Sequence, residues 1–136
     1  MVAPMRLPPK LLVTIATLGA LPACRSEGAA GICTASFAFV SVIVRDSSGN
    51  PVTGLSIADT VLRTHHSFLV PQTLGLPAGT YVILDDGFRG QIRASGESVQ
   101  VSGFNGATRF SATFTFDAPS GCHVRKVSGP DSLIVP

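Results

Sequence analysis

The clearest pattern in the chain is a strict alternation across residues 108–116, where Phe110, Ala112, Phe114 and Phe116 take one parity and Arg109, Ser111, Thr113 and Thr115 the other. Successive side chains on a strand point to opposite faces, so this stretch predicts one face in a core and one in water. Residues 98–102 alternate likewise, with Val99 and Val101 inward. Residues 36–45 differ: Ala38, Val40, Val42 and Val44 fill one face, and Phe37, Phe39 and Ile43 fill most of the other. That pattern predicts a strand inside a sheet with both faces covered. Further strands are predicted over 56–63, 67–70, 80–84, 122–127 and 133–135. Asp46-Ser47-Ser48-Gly49-Asn50-Pro51 marks a reversal, and 71–79 reads as a loop whose Leu74 and Leu76 close the end of the core. Asp85-Asp86-Gly87 reads as a strand end capped by an Asx turn. About seven short strands without a helical repeat predict an all-β fold, an antiparallel β-sandwich, with a partly closed barrel as the alternative.

One apolar run has a different meaning. Arg6 and Lys10 precede residues 11–20, which are apolar but too few to span a bilayer, and Leu21-Pro22-Ala23-Cys24 follows. This is the layout of an export signal. The tetrapeptide ending at Cys24 resembles the lipobox of bacterial lipoproteins, although Pro22 stands where that motif most often has a small or hydroxylated residue. The resemblance implies cleavage before Cys24 and acylation of its thiol. The rival reading is ordinary cleavage after Ala30, which would discard Cys24. The expected organisation is a signal peptide over 1–23, a tether over 24–32 and a β-sandwich domain over 33–136.

Removing the leader changes the charge balance. Ten Lys and Arg become eight without Arg6 and Lys10, against eight Asp and Glu that all lie beyond the leader. A near-neutral mature chain with no basic stripe argues against nucleic-acid binding and against electrostatic steering of a charged substrate. Of three cysteines, Cys24 is the acylation candidate, which leaves Cys33 and Cys122 to form a disulfide joining the two ends of the domain. Two reduced thiols are the alternative.

Val42-Ile43-Val44-Arg45-Asp46-Ser47-Ser48-Gly49-Asn50-Pro51-Val52 resembles the opening hairpin of carboxypeptidase regulatory-like domains, and Leu76-Pro77-Ala78-Gly79-Thr80-Tyr81-Val82 resembles their later Gly-x-Tyr strand. The segment from Gly121 to Pro130 is similar to the tail of small bacterial lipoproteins related to them. The resemblance covers about a third of the mature chain and departs from the usual pattern after Tyr81, where Asp85-Asp86 interrupts the hydrophobic continuation. It implies a transthyretin-like β-sandwich serving as a non-catalytic accessory module.

Few residues suggest chemistry. His65-His66 offers imidazole ligands near Asp59, but neighbours on extended chain point apart. Asp85-Asp86 lacks the surrounding oxygens that a Ca²⁺ loop supplies. Alternation places His123 beside Arg125 on the surface. A Gly-x-Ser-x-Gly elbow is absent, since Gly96-Glu97-Ser98 lacks the second glycine.

The expectation is therefore a monomeric, lipid-anchored, non-enzymatic binding or scaffolding module of the bacterial envelope. It is held to the membrane through Cys24, with Arg25 favouring the outer membrane by resemblance to diderm lipoproteins, and an envelope protein is a possible partner. Neither cofactor, metal nor nucleic acid is expected. The alternative is a small secreted hydrolase or metalloenzyme using His65, His66, His123 and the Asp85/Asp86 pair.

Overall fold

The computed structural model describes Cys33 and residues 35–136. The leader, Cys24 and the tether 24–32 lie outside the described residues. The strands are β1 Phe39–Asp46, β2 Ser56–Val61, β3 His66–Val70, β4 Thr80–Asp85, β5 Glu97–Asn105, β6 Thr108–Asp117, β7 Arg125–Ser128 and β8 Ser132–Val135. A 3₁₀ helix, Asp86–Gln91, follows β4. Two sheets pack as a sandwich: β4-β1-β8 and β3-β2-β5-β6-β7. All pairings are antiparallel except β1 with β8. The eight strands match the all-β sandwich expected, one for each predicted stretch, and those predicted over 122–127 and 133–135 join different sheets.

The alternation works as read on β5 and β6. Val99 and Val101 are buried, as are Phe114 and Phe116, and their outward neighbours carry hydroxyl or amide groups. β1 corrects its prediction in one respect. It is the central strand of its sheet, and Val42 and Val44 are buried, but Phe39 and Ile43 remain 41% and 39% exposed. Among the described residues, no third layer lies beyond the outer face of the three-stranded sheet. Central position covers a strand's edges, not both its faces. Leu76 packs against the core as expected from the loop, whereas Leu74 is exposed.

The two stretches that resemble an accessory module meet in space. In the first, Asp46 closes the reversal: its Oδ1 accepts from the Ser48 and Asn50 N–H groups at 2.9 and 2.8 Å, while Gly49 takes φ +86°. In the second, Gly79 takes φ +76°, and a Cβ there would lie 2.8 Å from both Pro51 Cβ and the Val44 carbonyl oxygen. Only glycine fits that approach. Tyr81 then ties the reversal to β2, donating its hydroxyl to the Val52 carbonyl at 2.8 Å and accepting from the Leu55 N–H at 3.2 Å.

Cys33 and Cys122 form a disulfide, with Cα atoms 5.2 Å apart. It fastens the start of the domain to the segment leading into β7.

Candidate functional site

Beside that disulfide lies the one place where the sequence candidates converge. Asp85 ends β4 and caps the 3₁₀ helix, its Oδ1 accepting from Gly87 N–H at 2.7 Å, as the Asx-turn reading expects. The backbone turn this imposes directs the next carboxylate, Asp86, into a buried position. Asp86 Oδ2 accepts from the Ala38 N–H at 2.8 Å and Oδ1 from the Val124 N–H at 2.9 Å. His123 Nδ1 lies 2.6 Å from Oδ2.

Burial pushes the Asp86 carboxyl up, but the Ala38 N–H, the His123 ring and the Val124 N–H outweigh it and hold the group below its ordinary range. Ionised, it accepts only, so His123 Nδ1 carries a proton and donates. The pair has the orientation of the Asp–His half of a catalytic triad. It also has a plain structural task. One carboxylate gathers the strand entry at Ala38, the 3₁₀ helix and the segment after Cys122.

The other candidates are not brought to it. His65 sits in the β2–β3 turn at φ +55°, its N–H donating to the Val61 carbonyl at 2.8 Å. His66 heads β3, its ring centroid 6.0 Å from that of Phe68, which in turn stacks on Phe88 at 4.3 Å. Among the described residues, no group of three or more His, Cys, Asp and Glu is arranged to hold a metal ion. His123 differs from the surface residue expected: it is partly buried and paired with a carboxylate thirty-seven positions away.

Asp59, weighed only as a neighbour of the histidines, is the least expected side chain in the core. It is fully buried on β2 between Ile57 and Val61, and neither carboxylate oxygen has a hydrogen-bond partner. Burial alone pushes its carboxyl up to about 8, so it is protonated at neutral pH. Parity was the available signal, since Ile57, Asp59 and Val61 share one face of the strand. Glu97 is buried too, but its Oε2 accepts from Arg63 Nη2 and Arg93 Nε, each at 3.0 Å.

A surface is the remaining feature among the described residues. The three-stranded sheet presents Phe39, Ile43 and Ile134 outward, the last 76% exposed, with Phe37 just before the strand at 57%. Solvent-facing apolar groups gathered on one face mark a contact surface more often than scattered ones do. Comparison with known proteins returns no matching family model, no similar curated protein and no similar solved structure.

Proposed function

We propose that this chain is an exported, lipid-anchored β-sandwich that acts as a non-catalytic binding or scaffolding module at the bacterial envelope. The observation that carries the reading is the closure of the fold beside Cys33. The disulfide and the Asp86 carboxylate hold the same junction, which supports reading the Asp86–His123 pair as part of a structural staple. A disulfide in that position suits an oxidising compartment, consistent with the export signal in the sequence. The meeting of Pro51 with Gly79 and the Tyr81 bridge support reading the two motif stretches as one accessory module like the carboxypeptidase regulatory-like domains. Cys24 is the attachment point. Acyl chains contribute about 0.8 kcal/mol per buried methylene, so two or three of them anchor the chain durably where one does not. The outer membrane is the favoured site.

The reading is tested by metabolic labelling with a fatty-acid probe in a bacterial host. The wild type should take up label and the Cys24→Ser variant should not. An unlabelled wild type would overturn the anchor.

The hydrolase alternative is favoured by one observation, the 2.6 Å Asp86–His123 pair. Turnover in a hydrolase panel that disappears in the His123→Ala variant, with its fold intact, would establish that alternative.

A further inference from the structure

We propose that the outer face of the three-stranded sheet rests on the phospholipid surface, with Phe37, Phe39, Ile43 and Ile134 in the headgroup and upper acyl region. The proposal deepens the lipid-anchor reading and rests on it.

Three observations favour a lipid surface as the occupant. The first is where the chain enters the fold. Ala38 pairs with Asp86 and Phe39 with Asp85, so the polypeptide arrives from Cys33 at the end of the sheet where Phe37 and Phe39 are displayed. At most about 30 Å of chain separates Cys24 from Cys33, comparable with the length of β1 itself, so an anchored domain is held within reach of the bilayer.

The second is the asymmetry of the two outer faces. Outward positions of the five-stranded sheet are mostly hydroxyl and amide groups: Thr60 bonds Ser67 at 2.8 Å, Ser102 faces Ser111, and Gln100 faces Thr113. Leu69, Phe104 and Val127 are exposed on that sheet, but they stand apart on β3, β5 and β7, with β2 between the first two and β6 between the last two. On the three-stranded sheet the aromatic and aliphatic side chains dominate, their neighbours by register being Ser41, Thr80 and Ser132, with Val82 buried opposite Ser41.

The third is charge. The charged residues paired into that face are Asp85, whose Oδ1 is engaged by the Gly87 N–H, and Arg45, whose guanidinium reaches the Gly49 carbonyl at 2.9 Å. Asp131, whose carbonyl accepts from the Ile43 N–H, is exposed at the edge of the face but paired with Lys126, so two acids already engaged and two cations present little repulsion to an anionic headgroup layer. Apolar side chains seated in the interfacial region gain transfer free energy roughly in proportion to the area they bury.

The chain contains no tryptophan, so one introduced residue reports alone. Phe39→Trp, Ile134→Trp and Leu69→Trp variants of the full chain, processed in a bacterial host, are reconstituted in phosphatidylethanolamine–phosphatidylglycerol vesicles with or without brominated acyl chains. All three sites are exposed, so the fold should tolerate the ring, and circular dichroism checks this. Bromolipid should quench Phe39→Trp and Ile134→Trp emission at least twofold and leave Leu69→Trp nearly unchanged. Equal quenching of all three, or none at positions 39 and 134, would overturn the docking. Blue-shifted emission at 39 without bromolipid quenching would instead mean that protein covers the face, which also overturns it. Intact mass read on the same samples separates the two claims: an acylated chain with unquenched reporters defeats the docking alone, whereas a chain without acyl groups defeats the anchor and the docking together.

Discussion

His123 Nδ1 lies 2.6 Å from an oxygen of Asp86, and the residue before His123 is bonded through sulfur to Cys33. Histidine, carboxylate and disulfide thus secure one junction. Replacing Asp86 by Ala strands the N–H groups of Ala38 and Val124, each an unsatisfied donor worth about 1–3 kcal/mol when buried. Urea unfolding should show Asp86→Ala among the most destabilising single changes, and His123→Ala a smaller loss. Equal stability of Asp86→Ala and wild type would contradict the structural role.

The pH dependence of that junction has a definite sign. The folded Asp86 carboxyl lies below its ordinary value, so its contribution is present above the unfolded value of 3.8 and is lost as pH falls through the folded one. The Asp86→Asn variant should lose less stability than the wild type between pH 5 and pH 2. Parallel unfolding midpoints over that range would count against it.

Asp59 runs the opposite way. Its folded value is raised from 3.8 to about 8, so the native state binds the extra proton between those limits and loses stability as pH climbs through them. Each unit of that window costs up to about 1.4 kcal/mol. The Asp59→Asn variant should flatten the decline in urea midpoint between pH 5 and pH 9. An unchanged slope would mean that Asp59 already has a partner in solution.

Gly79 and Tyr81 give a test of the motif contacts. Gly79→Ala combines a left-handed φ with a Cβ 2.8 Å from backbone and Pro51, and should cost about 2 kcal/mol or more. Tyr81→Phe removes a hydroxyl that both donates and accepts, and should cost about 1–2 kcal/mol. Thermal unfolding of both variants measures these effects; a Gly79→Ala Tm equal to wild type would contradict the close approach.

Much of the fold could be read from parity. Over 98–102 and 109–116 apolar and polar residues take opposite faces, so the pattern names both strands and their buried sides, whereas at the ends of β5 Glu97 turns in and Phe104 out. The same rule places Asp59 inward with Ile57 and Val61, but the sequence reading takes it only as a neighbour of the histidines, since a carboxylate without a partner runs against expectation in a core. The outer face of β1 reads as covered from sequence because a run of Phe, Val and Ile looks alike whether its second face meets protein or a free surface. Asp86 and His123 were each visible as candidates, yet their pairing was not. It depends on the turn after β4 and on the disulfide, which bring together residues far apart in sequence. His65 and His66 behaved as adjacent residues in a tight turn do, without converging on one site.

The disulfide is itself open to measurement. It closes a loop with a sequence separation of 89 residues, for which chain entropy gives a stabilisation of about 4–5 kcal/mol. The Cys33→Ala/Cys122→Ala double variant should unfold at markedly lower urea than the oxidised wild type, and reduction of the wild type should reproduce most of that loss.

Intact-mass spectrometry of the protein isolated from bacterial membranes tests export, acylation and oxidation together. The expected mass is that of a chain beginning at Cys24, carrying two or three fatty acyl groups, and lighter by two hydrogens for the Cys33–Cys122 bond. A chain that still begins at Met1 with all three thiols free, or one that begins after Ala30 without lipid, would contradict it.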